Sequence, residues 1–258
     1  MNDLDERVEI LARKMIGGRT VFFTGAGVST ESGIPDFRSP GGIWTTHKPV
    51  LFDDFMRSRE ARTEYWRRQV AFSDLMRDVR PNPGHTAITR LYEKGLVEAV
   101  ITQNVDGLHQ AAGMPGDMVI ELHGNGLRVR CMSCGRISPL QDALDRVGAG
   151  DPAPECTCGG YLKPDTVSFG QAMPEYAVMT AMDLAMTCDC FIVVGSTLLV
   201  HPAAGIPLYA LDAGAYLAIV NLSETPLDGR AHLLIREKAG TVLGMLADAV
   251  ERIFPGKG

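Results

Sequence analysis

The chain has 258 residues, 45% of them apolar and 22% charged, with a formal charge of −6 at pH 7. That length fits one large domain, or a domain with an inserted module, and the apolar content can bury a core. A negative balance opposes general nucleic-acid affinity, which needs a basic face for the phosphates. No apolar run reaches the roughly 18 residues of a membrane span.

Asp3-Leu4-Asp5-Glu6 reads as a capping box. Val8, Leu11, Ala12 and Met15 then share one helical face until Gly17-Gly18 stops the helix. The same acidic start lacks the apolar centre of a signal peptide. Val21-Phe22-Phe23 reads as a buried strand running into Gly25-Ala26-Gly27. Glycines there let backbone approach a pyrophosphate, whose charge a following helix N-terminus favours. The dehydrogenase pattern needs a third glycine where Thr30 stands, and the next glycine is Gly33. The loop continues as Ile34-Pro35-Asp36-Phe37-Arg38, with a charge pair and an aromatic. The expectation is a dinucleotide site not used for hydride transfer.

Residues 39–84 are rich in arginine, aromatics and turn formers, which predicts amphipathic helices and loops covering a cleft. Arg80-Pro81-Asn82-Pro83-Gly84 breaks the chain before a helix from His85 to Glu93. Val97–Thr102 and Val119–Leu122 read as strands, and Phe191–Gly195 and Leu217–Asn221 are short, continuous apolar runs, as expected of parallel strands covered on both faces. Helical stretches separate them, so the larger part reads as α/β, doubly wound and Rossmann-like. A last helix is predicted from Thr241, with Val242, Leu246, Val250 and Ile253 facing inward.

Residues 128–164 break this rhythm and read as a small inserted module between 1–127 and 165–258. Cys131-Met132-Ser133-Cys134 and Cys156-Thr157-Cys158 lie a zinc-ribbon distance apart. Four thiolates in a tetrahedron would hold one structural Zn2+ with no open position. A redox pair or an empty site is the alternative, because Cys-x-Cys is one residue shorter than the common knuckle. Cys188 and Cys190 flank the start of a strand and read as buried core.

Polar clusters follow several strands, where parallel α/β sheets place their chemistry. Gln103, Asn104, Val105 and Asp106 follow one, with Asn104 and Asp106 placed to reach a common pocket. His123 follows another and suits a general base. Gly195-Ser196-Thr197 and Asn221-Leu222-Ser223 follow two more and suit ribose hydroxyls and phosphate. His47, His85, His109, His201 and His232 lack such context.

Together these pieces resemble the sirtuin family of NAD-dependent protein deacylases. The matching segments are GAGVSTESGIPDFR at 25–38, TQNVDGLH at 102–109, HG at 123–124 and the paired cysteines. KPDTVSFG at 163–170, GSTLLVHPAAG at 195–205 and NLSETPLD at 221–228 continue the family order. The segments around Phe55, Tyr65 and Arg80 look most like the class of mitochondrial and bacterial sirtuins.

The resemblance implies NAD as co-substrate, one structural zinc, and acyl-lysine protein or peptide substrates. Nicotinamide would leave, the acyl oxygen would attack C1′ of the ribose, and O-acyl-ADP-ribose would form, with His123, Asn104 and Asp106 as catalytic residues. NAD contacts would come from Gly25, Ala26, Gly27, Ser29, Ile34, Asp36, Phe37, Arg38, Gln103 to Asp106, Gly195, Ser196, Thr197, Asn221, Leu222, Ser223 and Ala239. Val167, Ser168, Phe169 and Gly170 would add a strand partner to the peptide, with Leu199 and Val200 on its other side. Tyr65 and Arg68 share a helical face and have the spacing of a clamp for acidic acyl tails; an exposed basic face including Arg62 and Arg67 is the competing expectation. Ser168, Gln171 and His201 depart from the commonest family residues without removing the chemistry. Mono-ADP-ribosyl transfer or lipoamide removal would use the same site. The chain is expected to be a cytoplasmic monomer that binds neither nucleic acid nor membrane.

Overall fold

The computed structural model describes residues 3–36 and 48–255. Phe37, Arg38 and His47 lie outside them. The strands are β1 (Thr20–Thr24), β2 (Val97–Thr102), β3 (Val119–Glu121), β4 (Gly124–Cys131), β5 (Ile137–Pro139), β6 (Leu162–Thr166), β7 (Cys190–Val194), β8 (Tyr216–Val220) and β9 (Leu233–Ile235). The helices that matter below are α1 (Asp3–Met15), α2 (Phe52–Arg57), α3 (Arg59–Met76), α4 (Pro83–Glu93), α5 (Leu108–Ala111), α6 (Leu140–Gly148), α7 (Glu175–Thr187), α8 (Ile206–Asp212) and α9 (Ala239–Ile253). None is long and apolar enough to cross a membrane.

Six strands form one wholly parallel sheet in the order β3-β2-β1-β7-β8-β9. Strands β7 and β8 are continuous apolar runs because both faces are covered. Phe22, Ile192, Val194, Ala218 and Val220 pack under Leu11 of α1, Ile88 of α4 and Leu246 of α9. Val21, Phe23, Phe191, Val193, Leu217 and Ile219 pack against Ala181 and Ala185 of α7 and Ala210 of α8. Adjacent residues on one strand serve opposite layers, as the two-residue period requires. Each such large apolar side chain contributes about 1.5–3 kcal/mol on burial.

The strand order reverses between β1 and β7, which opens a crevice at their carboxyl ends. The loops leaving these two strands touch backbone to backbone. Gly25 N–H donates to Val194 O at 3.0 Å and Gly27 N–H to Gly195 O at 2.9 Å. A Cβ on Gly27 would lie 2.7 Å from the Gly195 Cα. One on Gly195, whose φ is +62°, would lie 2.4 Å from the Val28 nitrogen.

A second, antiparallel sheet has the order β5-β4-β6. It shares a small core of Trp66, Val129, Leu140 and Ala143 with α3 and α6. Trp66 Nε1 donates to Leu162 O at 3.2 Å. This sheet leaves the large one at His123, just after β3, and returns at Val167, just after β6.

Three expectations are corrected. Asp3 lies inside α1 and its carboxylate accepts from Arg7 Nε at 2.9 Å, so it is a helical ion-pair partner there. The last helix begins at Ala239, two residues before Thr241, and Ile253 is only partly buried on it. Arg62 is buried, with its guanidinium 3.6 Å from the Tyr161 ring centroid and Nη1 donating to Phe55 O at 3.0 Å, so it is not part of an exposed basic face.

Gly195→Ala should cost about 3 kcal/mol or more, because it combines left-handed strain with backbone overlap. Gly214→Ala, at φ +89° with open space around it, should cost about 1 kcal/mol. Urea unfolding compares the two, and equal losses would refute the interlocked loops.

Candidate functional site

The loops that follow β1, β2, β3 and β7 meet at Gln103. Its N–H donates to Thr24 O at 3.0 Å, and its side-chain Nε2 donates to Ser196 Oγ at 2.8 Å. Its carbonyl oxygen stands 2.9 Å from His123 Nδ1. A carbonyl can only accept, so Nδ1 carries the proton and Nε2 keeps its lone pair. Burial holds His123 below its ordinary value of 6.5, against the opposing pull of the Gln103 carbonyl. The half-buried ring is therefore a neutral proton acceptor at pH 7.

Asn104 and Asp106 both reach Ser29, from either side of Val105. Asn104 Nδ2 donates to Ser29 Oγ at 3.0 Å, and Ser29 Oγ donates to Asp106 Oδ2 at 2.7 Å. Asp106 Oδ1 also accepts from Leu108 N–H at 2.9 Å. These bonds fix a carboxylate and an amide beside buried Ile34 at the end of the β1 loop.

Two histidines without an expected role back this group. His85 Nε2 lies 3.4 Å from Ser29 Oγ, and Nδ1 accepts the Asn82 N–H at 3.3 Å. His109 Nε2 lies 2.9 Å from Thr24 Oγ1, which donates to Thr102 Oγ1 at 2.9 Å. The two rings meet edge to face with centroids 5.0 Å apart. His109 Nδ1 is buried with no hydrogen-bond partner among the described residues. Asn-Pro-Gly-His and Asp-Gly-Leu-His were visible as strings, but no local signal tells that these rings share one pocket.

The remaining expected cofactor residues rim the same end of the sheet. Ala26 lies in the 3-10 turn after β1. Ser196 is buried after β7, and its Oγ accepts the Leu198 N–H at 3.3 Å. Thr197 sits between these two residues. Asn221 is buried after β8, with Nδ2 on Ser223 Oγ at 3.1 Å, while Leu222 is exposed. Ala239 is buried at the first turn of α9, where Glu31 Oε2 accepts the Gly240 N–H at 2.6 Å. Asp36 is the last described residue of its loop. A basin lined by Gly17, Arg19, Lys94, Leu96 and Asp189 opens at the other end of the strands and touches none of these residues.

The segment expected to receive a peptide is already partly paired. Val167 N–H donates to His123 O at 2.9 Å, Ser168 N–H to Gln171 Oε1 at 3.1 Å, and Phe52 N–H to Phe169 O at 2.9 Å. Gly170 turns the chain at φ +84°. Phe169 and Leu199 are exposed, and Val200 is half-buried. Tyr65 and Arg68 each have a partner of their own. Tyr65 OH lies 3.3 Å from Thr166 Oγ1. Arg68 Nε donates to Glu64 Oε1 at 2.6 Å, and its Nη1 to Lys48 O. Arg67 grips the same Glu64 at 2.7 and 2.8 Å.

The metal-ligand thiols converge. Sγ of Cys131, Cys134, Cys156 and Cys158 all lie within 4.8 Å of one another. Cys131–Cys158 and Cys134–Cys156 are separated by 3.5 and 3.8 Å, and no disulfide joins them. A zinc tetrahedron with bonds of about 2.3 Å has sulfurs about 3.8 Å apart. The short Cys-x-Cys spacing is absorbed by a turn in which Cys156 N–H donates to Gly160 O at 2.7 Å. A Cβ on Gly160 would come within 2.6 Å of Cys131 Sγ, so the cradle needs glycine there. The four cysteines are placed to hold one zinc ion away from the strand ends.

Burial pushes His85 down to about 4 and His109 to about 3. Both are neutral when folded, whereas the unfolded chain takes up their protons below about pH 6.5. Stability from this pair is therefore full above pH 6.5 and is lost as pH falls toward the folded values. For His109 alone the loss is about 2 kcal/mol at pH 5. Urea unfolding of wild type and His109→Gln should show the gap between them shift by that amount between pH 7 and pH 5. A constant gap would mean that His109 does not titrate in this way.

Comparison with known proteins agrees with this geometry. The Sir2 family pattern matches residues 25–202. The chain is 49% identical over 245 residues to NAD-dependent protein deacetylase 1 of Bradyrhizobium diazoefficiens, covering 94% of this chain and 96% of that one. It is 42% identical over 238 residues to NAD-dependent protein deacylase 2 of Pyrobaculum aerophilum, covering 90% and 91%. A Sir2 complex with p53 peptide and NAD+ superposes with a TM-score of 0.77 at 35% identity, covering 94% and 95%. A Sir2 complex with deacetylated p53 peptide and 3′-O-acetyl ADP ribose gives 0.83 at 36%, covering 95% and 98%. The family pattern, the identities and the superpositions agree, and the chain belongs to the Sir2 family.

Proposed function

We infer that the chain is an NAD-dependent protein lysine deacylase with His123 as its base. The observation that carries this reading is the tautomer of His123, locked by the Gln103 carbonyl where four strand ends meet. Bound NAD supplies an electrophilic ribose carbon and a leaving nicotinamide. Gly25, Gly27 and Gly195 let the β1 and β7 loops meet backbone to backbone beside the crevice where its phosphates would lie. Asn104 and Asp106 offer an amide and a carboxylate to the nicotinamide carboxamide, with Ile34 as an apolar wall. His123 Nε2 accepts a proton from a ribose hydroxyl. The activities of the relatives and the peptide-bound structural neighbours support a protein substrate.

The peptide lies between residues 167–170 and Leu199-Val200, adding main-chain bonds where the segment is not already paired. The zinc module, residues 128–164 inserted between 1–127 and 165–258, carries no reacting group. We take acetyl-lysine over acidic acyl-lysines as the preferred substrate, because the Arg68 guanidinium is engaged by Glu64. A carboxylate-bearing acyl tail would have to displace that ion pair.

Wild type with NAD and an acetyl-lysine peptide should release nicotinamide and free lysine peptide in equal amounts. His123→Ala should lower kcat by about 10²–10⁴-fold and leave NAD affinity nearly unchanged. If NAD binds and no peptide-dependent nicotinamide appears, the deacylase reading fails. Arg68→Ala should affect acetyl and succinyl peptides alike in the same assay. A loss of about tenfold or more confined to succinyl-lysine would restore the clamp.

A further inference from the structure

Lys163 is wholly buried, although it belongs to the small antiparallel sheet. Its ammonium has no ion pair with a carboxylate among the described residues. Nζ instead donates to Pro164 O at 3.3 Å and to Thr166 O, and stands 5.5 Å from the Tyr65 ring centroid. Two carbonyls and a ring face thus surround a group with three protons to give.

Burying an unpaired ammonium is costly, and an apolar side chain of that length would be cheaper if filling space were its purpose. Its position in the ladder indicates another purpose. Val129 of β4 pairs with Pro164, yet the next β6 residue, Asp165, pairs with Asn125. β4 therefore loops out over three residues where β6 runs on without a break. At that gap Lys163 reaches three residues along its own strand to the Thr166 carbonyl.

Thr166 is the last residue of β6, and the next N–H, that of Val167, donates to His123 O. Tyr65 OH lies on Thr166 Oγ1, so the exit of β6 is gripped by its carbonyl and its hydroxyl. Burial lowers the Lys163 ammonium to about 8, against the pull of Asp165, which still leaves it charged at neutral pH.

We propose that Lys163 is a positioning residue: its buried ammonium holds the Thr166 carbonyl, and so sets segment 167–170 against the His123 turn for an acyl-lysine peptide. The peptide part of this inference rests on the deacylase reading above. The latch itself does not. Lys163 touches neither peptide nor NAD, so its loss acts on peptide KM and on local exchange, with NAD affinity preserved.

Lys163→Met and Lys163→Arg test it. The Met variant removes the donors; the Arg variant keeps a buried cation with hydrogen bonds to give. Lys163→Met should raise KM for an acetyl-lysine peptide about tenfold, with NAD affinity and zinc content unchanged, and Lys163→Arg should recover most of that loss. Hydrogen exchange of the Val167 amide should accelerate about tenfold or more in the Met variant. Unchanged exchange at Val167, unchanged KM, or an Arg variant as impaired as Met would overturn the proposal. If the Met variant does not fold, the wild type decides: fast exchange at Val167 overturns the latch, and slow exchange with recovery by Arg supports it. A wild type that never turns over acyl peptide fails the deacylase reading, while the exchange measurement still judges the latch.

Discussion

The contact between the β1 and β7 loops is the constraint on which the rest depends. Gly25 and Gly27 lie against Gly195 at distances that no side chain permits. This contact locks together the loops leaving β1 and β7 at the reversal of strand order, backbone against backbone. The same packing places Ser29 over Asp106 and Ser196 beside Gln103. A change in that contact would reach the polar site through two hydrogen bonds.

The small sheet is attached to this frame by two adjacent backbone crossings, at His123-Gly124 and at Thr166-Val167. Gly124 has φ +75°, and a Cβ there would clash with Asp165 O. Around the same point Glu121 accepts from Gln110, Asn125 and Arg128, and Asp165 accepts from Arg128 and Arg130. These charges are only partly buried, so their worth lies more in fixing geometry than in stability. His123 therefore stands at the junction of the two sheets, braced by polar contacts on one side and by the Gln103 carbonyl on the other. Trp66 and Arg62, both from α3, tie that helix to Tyr161 and Leu162 at the start of β6.

Much of the fold was legible because parallel strands covered on both faces must be apolar throughout, as Val21-Phe22-Phe23 and Phe191 to Val194 are. The face of α1 was legible for the complementary reason: Val8, Leu11, Ala12 and Met15 are its buried residues. Strand β9 was not legible, since Leu233-Leu234-Ile235 is too short to show a period. The start of α9 was hidden because it is met by Glu31 from 209 residues earlier, bonded to Gly240, rather than by a neighbouring cap. The basic face of α3 misled, since Arg62 and its neighbours look alike in sequence, while one is buried on Tyr161 and two are held by Glu64.

The chain by itself determined β1, β2, β3, β7 and β8 of the parallel sheet, the glycine loop, the four cysteines placed for a metal and the placing of polar residues after strands. Each of these follows from local chemistry: period, backbone freedom, ligand type. Only the tertiary structure decided which nitrogen of His123 bears its proton, that His85 and His109 stand behind Ser29, that Arg68 is engaged, and that Lys163 is buried. Those are pairings between residues distant in the chain or turned inward by packing. Their energies depend on which partner and how much water each group meets, and neither is written in the local sequence.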